Sequence, residues 1–333
     1  MAPRSDSFTI LSLSGGGYFG LFTITLLADL EEALGAPIAR HFDLIAGTSV
    51  GGIIALGLAQ EIPARAMQRA FEEKGPTIFS ERPAPQGPVS QIADLLRCLC
   101  KAKYRPDPLR NTIIDFVGAD TRLGDLKHPV IIPAINLTTG QPQLFRTPHH
   151  ESFHSDMHLK AVDVALATAA APAYFPIAEV EGQLFTDGGL YANAPDLLAV
   201  HEAEHFLQRP TEQIRVLSIG TMTAHFSFGR AFERNLGALG WLRDQRLVDL
   251  LIAAQQQWVQ MMMEHRLGPR YLRLDAAQPE EERRHLALDV ATPQAQRIIK
   301  SLAQSIARSA LQEPLLKEIM SHTALWTGEA WNT

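Results

Sequence analysis

Residues 41–60 read HFDLIAGTSVGGIIALGLAQ. Phe42 to Ala46 is a short apolar run with the length and bulk of a buried strand, and Val50 to Ala59, apolar and rich in small residues, reads as a buried helix. Between them Gly47-Thr48-Ser49-Val50-Gly51 spells G-x-S-x-G in a strand–turn–helix setting. A turn that sharp brings strand and helix so close that the residues two before and two after the serine have no room for a Cβ. The serine then stands at the apex, strained, with its hydroxyl above the sheet edge and a helix N-terminus beneath it. The plain alternative is a glycine-rich turn with an incidental serine, and the choice between the two rests on the rest of the chain.

Upstream, Phe8 to Ser14 reads as a first buried strand, followed by Gly15-Gly16-Gly17-Tyr18-Phe19-Gly20 and an amphipathic helix that Gly35 stops after Leu34. The six residues match G-x-G-x-x-G, so a dinucleotide site is a rival. That site needs a carboxylate at the end of the second strand to hold the ribose, and here the strand runs into Gly47-Thr48-Ser49. The rival fails there. Three bare glycines at a helix start suit another task, presenting backbone N–H groups to the oxyanion of an acyl-transfer intermediate. A turn needed only for tight packing is the simpler reading.

Downstream, Pro63 to Lys74 reads as a helix, and the proline-rich Gly75 to Ser90 as a loop that can serve as a lid. Two more helices are expected over Ser90–Lys103 and Asp107–Val117. A hairpin is expected from Pro129–Leu137 and Gln143–Arg146 through Thr138-Thr139-Gly140. His150-Glu151-Ser152-Phe153-His154 matches the H-E-x-x-H of zinc proteases, but Pro148 and polar surroundings argue for a solvated loop and no metal site. An alanine-rich helix (Ala161–Ala173), a strand (Gln183–Thr186), a helix (Pro195–Phe206) and a strand (Ile214–Ile219) follow. A long helix from about Leu239 to His265, a strand at Tyr271–Leu274 and helical sequence through Met320 complete the pattern.

The 333 residues are 46% hydrophobic and 20% charged, with a net charge of −6 and no block of like charges. That balance supports a sizeable core and argues against a nucleic-acid polymer as partner. Cys98 and Cys100, two apart on an expected helix, cannot easily bridge, which excludes a disulfide framework and fits a reducing cytoplasm. The N-terminus lacks a signal-peptide core, and the longest apolar run is shorter than a bilayer span, so membrane contact is expected to be peripheral at most.

The Gln183–Thr186 strand ends in Asp187-Gly188-Gly189, which sits where α/β sheets place ligand groups, although a turn is the commoner fate of Asp-Gly. A serine needs a base. His201, His205, His265 and His285 follow the aspartate as a Ser-Asp-His triad requires, but none lies in a small-residue loop after a strand.

The glycine loop at 15–20, the G-x-S-x-G at 47–51 and the Asp-Gly-Gly at 187–189, taken in this order, resemble the three signatures of the patatin-like phospholipases. The stretch ATAAAPAYFPIAEVEGQLFTDGGLYANAP resembles that family throughout. The resemblance runs from about Phe8 to about Thr221. It implies a three-layer α/β/α fold with a central, mostly parallel sheet and a helical C-terminal extension. Residues 8–221 are then the catalytic core, and 222–333 a mainly helical part packed on the same domain. It also implies a Ser-Asp dyad cleaving acyl esters of phospholipids or lysophospholipids without calcium or any other cofactor. In that reading Ser49 is the nucleophile, Asp187 the base, and Gly15, Gly16 and Gly17 the oxyanion donors. Gly20, Gly47, Gly51, Gly188 and Gly189 support the motifs.

Position 19 departs from the family, which commonly has Arg or Lys there where this chain has Phe19. A triad esterase for small esters and a weakly active sensor on the same scaffold remain open alternatives. Leu236-Gly237-Ala238-Leu239-Gly240-Trp241-Leu242 resembles a segment of bacterial members that include antiphage effectors switched on by cyclic dinucleotides. A cyclic dinucleotide activator is therefore an expected partner. Phe226, Phe228 and Met261-Met262-Met263 are candidates for a bilayer-facing surface, with core packing the simpler fate. The oligomeric state stays open.

Overall fold

Strand β1 (Phe8–Leu13) is buried at every residue, and its alternate side chains enter two different apolar layers. Phe8 and Ile10 join one cluster, Leu11 and Leu13 the other. This period of two with both faces buried is the mark of a sheet covered by helices on both sides. The computed structural model describes residues 7–79, 101–222, 235, 237 and 246–324. In them β2 (Leu44–Gly47), β3 (Val130–Asn136), β4 (Gln141–Arg146), β5 (Ala178–Val180), β6 (Gln183–Asp187), β7 (Ile214–Ile219) and β8 (Tyr271–Leu274) complete one sheet with β1. The order is β5-β6-β3-β2-β1-β7-β8, with β4 also paired to β3.

The helices are α1 (Gly20–Leu34), α2 (Val50–Ala59), α3 (Ala64–Phe79), α4 (Pro106–Val117), α5 (Ala161–Thr168), α6 (Gly189–Ala192), α7 (Asp196–His205), α8 (Arg246–Leu267), α9 (Pro293–Ala310) and α10 (Pro314–Ser321). Residues of α1 to α5, α9 and α10 pack on the Leu11 face, and residues of α7 and α8 on the Phe8 face. The fold is thus three-layer α/β/α. Four strand pairs are parallel (β1–β2, β1–β7, β2–β3, β7–β8) and three antiparallel. β8 extends the same sheet, and α9 packs on α1, so the described residues of β8, α9 and α10 share the core of those before 222.

One detail of the sheet places the site. β4 runs along one edge of β3 from Ile131 to Asn136. The other edge is shared. Parallel β2 pairs with its start (Ala46↔Ile131) and antiparallel β6 with its end (Ala134↔Asp187). Being opposite in direction, β2 and β6 end facing each other across the gap at Ile132 and Pro133. Pro133 has no N–H to donate, so the change of partner there strands no amide.

Several boundaries differ from the sequence reading. α3 does not stop at Lys74 but runs through Gly75 and Pro76 to Phe79. A proline at 76 denies the Glu72 carbonyl its helical partner, and Gln296 Nε2 supplies one at 2.9 Å. A Cβ at Gly75 would stand 2.2 Å from the Tyr18 ring, so glycine there lets Tyr18 pack against the helix. α1 is buried on nearly every face as far as Leu30, and is less amphipathic than expected. α5 ends at Thr168 instead of Ala173. The region 275–292, expected to be helical, is irregular apart from one short turn at Arg283–His285, because Pro279 and Pro293 interrupt it. The stretch 149–158 makes turns, not the helix that H-E-x-x-H needs, and it is not simply solvated. His149 is buried between Thr147 and Glu202 Oε1 (3.1 Å), and Phe153 packs on Phe206. Met263 is in the core while Met261 is exposed.

The remainder of the expected lid, most of the Ser90–Lys103 helix, Cys98, Cys100, Phe226, Phe228 and all but Gly237 of residues 236–242 lie outside the described residues. Among the described residues no helix is long and apolar enough to cross a membrane.

Candidate active site

β2 delivers the chain to Gly47, Ser49 takes φ 54° and ψ −124°, and α2 begins at Val50. This left-handed φ is costly for a residue with a Cβ, and the surroundings hold it there. The Ser49 N–H donates to Thr168 Oγ1 (2.9 Å), whose hydroxyl donates to the Pro133 carbonyl (2.6 Å). Thr48 Oγ1 donates to the Ala192 carbonyl (2.6 Å). A Cβ on Gly47 would stand 2.2 Å from the Gly51 carbonyl, and one on Gly51 2.3 Å from that of Leu13. Backbone cannot yield at such distances, so the two glycines are what the turn requires. Gly20 lies against Val50 and Gly188 against the Pro133 carbonyl in the same close way.

Asp187 ends β6 opposite this turn. Ser49 Oγ donates to Asp187 Oδ2 at 2.7 Å, and the Gly189 N–H donates to Oδ1 at 2.7 Å. Asp187 is 5% exposed, Ser49 9%. Burial pushes the Asp187 carboxyl up to about 6, against the opposing pull of the Gly189 N–H and the Ser49 hydroxyl. The carboxylate and the alcohol, 138 residues apart in sequence, are therefore in direct contact.

The glycine loop forms the third side. The Gly15 N–H is already engaged by the Asn193 carbonyl (2.9 Å), and the Gly15 carbonyl accepts from Thr221 Oγ1 (2.7 Å) and Asn193 Nδ2 (3.2 Å). Gly15 thus anchors the loop. Gly17 has φ 55°, and a Cβ there would stand 2.3 Å from the Leu288 carbonyl, which also accepts the Tyr18 N–H. Among the described residues no acceptor engages the Gly16 or Gly17 N–H. Phe19, where the departure in the motif lies, is buried in the core.

These groups open on a cavity of about 670 Å³. Its apolar arm runs between α2, α3 and α4 past Ile53, Phe71, Ile113 and Phe116, and its rim carries Lys103 and Arg283. No histidine is among the described residues that line it. His201 and His205 stack on each other on the surface of α7, with ring centroids 5.2 Å apart. His265 is exposed, and His285 contacts Arg284.

Thr168, Asn193 and Thr221 escaped the sequence reading. Asn193 had a signal, as a lone amide four residues after the second glycine of Asp-Gly-Gly. Thr168 and Thr221 had none.

The sequence profile described as patatin-like phospholipase matches residues 11–200. The chain belongs to the patatin-like phospholipase family. It is 44% identical over 323 residues to a cGAMP-activated phospholipase of Pseudomonas aeruginosa, covering 96% of this chain and 93% of that one. A Vibrio cholerae protein of the same name is 38% identical over 305 residues, covering 85% of each. Patatin-like protein 2 of Arabidopsis thaliana is 31% identical, over 74% of this chain and 68% of the other. Both cGAMP-activated phospholipases thus match into the C-terminal third, beyond the residues that the family profile reaches.

Proposed function

We propose that this patatin-like phospholipase hydrolyses the carboxylic ester bonds of phospholipids or lysophospholipids through Ser49 and Asp187. The observation that carries the reading is the 2.7 Å hydrogen bond from Ser49 Oγ to Asp187 Oδ2 at the floor of an apolar-armed cavity. Ser49 gives its proton to Asp187 as its oxygen attacks the acyl carbonyl carbon. The developing oxyanion turns to the Gly16 and Gly17 N–H groups, with Gly15 holding the loop in place. Collapse expels the lysolipid or glycerol alcohol, which takes the proton from Asp187. Water then attacks the acyl-enzyme with Asp187 again as base, releasing the fatty acid.

Burial keeps the carboxylate basic enough for this work, and the helix start at Ser49 adds a favourable field. With Oδ1 engaged by the Gly189 N–H and Oδ2 by the serine, the arrangement favours a dyad over a triad esterase. The apolar arm suits an acyl chain. Exposed Leu247, Leu251, Trp258 and Met261 of α8, a helix that also contributes Val248 and Ile252 to the cavity wall, favour peripheral contact with a bilayer. Residues 8–221 act as the catalytic core, and residues 222–333 belong to the same domain.

Relatives named for activation by cGAMP support a cyclic dinucleotide as activator of this chain. The test is mass spectrometry of phospholipid vesicles incubated with wild type, Ser49→Ala and Asp187→Asn, with and without cyclic GMP–AMP. Fatty acid release by the wild type alone, increased by the dinucleotide, is expected. Release by Ser49→Ala at the wild-type rate would reject the reading.

A further inference from the structure

On the face of the sheet that α7 covers, behind the glycine loop, lies a largely buried cation, Arg273, with 9% of its side chain exposed, that the reaction steps do not use. In the register of the parallel strands Ser12 stands beside Ser218, and Ser218 beside Arg273. The Arg273 guanidinium donates from Nη1 to Ser14 Oγ (2.9 Å) and Ser218 Oγ (2.7 Å), and from Nη2 to Asp275 Oδ2 (3.0 Å). Asp275 Oδ1 accepts the Met222 N–H at 2.9 Å. One residue back, Thr221 Oγ1 donates to the Gly15 carbonyl at 2.7 Å, and Gly15 follows Ser14.

The contacts close into a ring: Ser14, Arg273, Asp275, Met222, Thr221, Gly15 and back to Ser14. Met222 has φ 59°, a left-handed conformation held from both sides, by Asp275 at its N–H and by Gln278 Nε2 at its carbonyl (2.9 Å). Thr221 also reaches the next glycine. A Cβ on Gly16 would stand 2.3 Å from Thr221 Oγ1.

A buried guanidinium is a poor way to add stability, because its desolvation offsets most of what its partners return. Here the Nε of Arg273 meets no acceptor among the described residues, which adds a further cost. What the ring supplies is position. Ser14 is tied through its side chain and Gly15 through its carbonyl, so the next two amides have little freedom to turn away from the cavity. An oxyanion hole works only when its donors are aimed before the charge develops.

We propose that Thr221, Asp275 and Arg273 are positioning residues for the oxyanion loop, acting through Ser14 and Gly15 on the Gly16 and Gly17 N–H groups. The proposal rests on the reading of those two amides as the oxyanion donors. None of the three positioning groups contacts the reacting atoms. Their loss acts on the transition state and leaves ground-state binding of the acyl chain intact, because none of the three is among Ile53, Phe71, Ile113 and Phe116, the residues of the apolar arm.

The experiment is steady-state hydrolysis of a soluble short-chain acyl ester by the full chain, with kcat and KM separated and melting temperatures recorded. Thr221→Val is expected to lower kcat by about 10- to 100-fold with KM within about threefold. Thr221→Ser, which keeps the hydroxyl, is expected to return kcat to within about threefold of wild type. Asp275→Asn, of the same size, is expected to lower kcat about tenfold, again without raising KM. If Thr221→Val does not fold, Asp275→Asn carries the same test alone. Wild-type kcat in Thr221→Val, or in Asp275→Asn where that variant stands alone, overturns the proposal. So does an equal loss of kcat in Thr221→Ser and Thr221→Val, which would mark packing instead of the hydrogen bond. Ser49→Ala is run beside them. If it keeps wild-type hydrolysis, the nucleophile assignment has failed, a result distinct from any outcome of the ring variants.

Discussion

Asp187 and Asp196 are nine residues apart, both buried, and supplied very differently with partners. Asp196, at the start of α7, accepts hydrogen bonds from Ser12, Ser218 and Tyr271, the last at 2.7 Å, and Ser218 in turn is held by Arg273. Asp187 receives one hydroxyl and one backbone N–H, and no cation faces it among the described residues. The first is a strut joining three strands and a helix. The second is buried with two donors and no cation, and burial pushes its carboxyl up to about 6. Asp196 spends its oxygens on holding strands and a helix together, while Asp187 presents one to the serine hydroxyl.

The contrast breaks most easily through turnover. Ser49→Ala and Asp187→Asn should each lower lipid hydrolysis by about a thousandfold or more. Asp196→Asn should leave kcat within about tenfold, since Asp196 bonds to Ser12, Ser218 and Tyr271 and to no residue of the glycine loop itself. Equal losses in all three, measured on one substrate, would mean that the two carboxylates do not differ in kind.

Stability should move in opposite directions. An amide at 196 turns its NH2 toward hydroxyls that now donate, and a loss of about 2–4 kcal/mol in urea unfolding at pH 7 is expected. For Asp187 the folded pKa, about 6, lies above the ordinary 3.8, so the native state holds the proton more tightly than the unfolded chain. The stabilising contribution is present below about pH 4 and lost as pH rises through 6. Asp187→Asn, fixed in the uncharged form, should therefore be more stable than wild type at pH 8 by up to about 3 kcal/mol, and equal to it near pH 4. Destabilisation at pH 8 would contradict the raised pKa.

The pH profile reads the same group through function. The base must be ionised, so kcat/KM on an uncharged ester should fall about tenfold per unit below pH 6 and level off above it. A midpoint near 4 would place Asp187 among ordinary carboxylates.

The smallest effect sharpens the contrast from outside. Ile113→Trp, which fills the apolar arm, should reduce kcat/KM for a long acyl chain by about tenfold relative to a short one. It should not shift the pH midpoint, because Ile113 adds no charge near Asp187. A moved midpoint would show that the base is less insulated than its donor count implies.

The two sides of the site also differ in how far the sequence revealed them. Ser49 and Asp187 announce themselves through the glycines beside them, since backbone contacts at Gly47, Gly51 and Gly188 leave no room for a Cβ, and such constraints are local. The residues themselves showed β1, β2, β7 and β8 as short strands between turns, and the α/β/α layering was implied by the resemblance of the three motifs to the patatin-like phospholipases. The bracing of the glycine loop was not. Thr221, Arg273 and Asp275 are ordinary residues whose roles come from strand register, which no single stretch encodes. Gly15 was read as an oxyanion donor, and only the Asn193 carbonyl on its N–H shows it as an anchor. A Gly-Pro pair breaks most helices, so the sequence alone ends α3 at Lys74. The partner that rescues this one, Gln296, lies more than two hundred residues away.

The shared edge of β3 has one more implication. Ser49 and Asp187 sit at the ends of two strands that approach from opposite directions, with only Ile132 and Pro133 between the last paired residues. A strand advances about 3.3 Å per residue, so the middle of β3 is a gauge block that sets the spacing of the reactive pair. Two extra residues inserted there would push the alcohol and the acid about 7 Å further apart without altering a single group in the cavity.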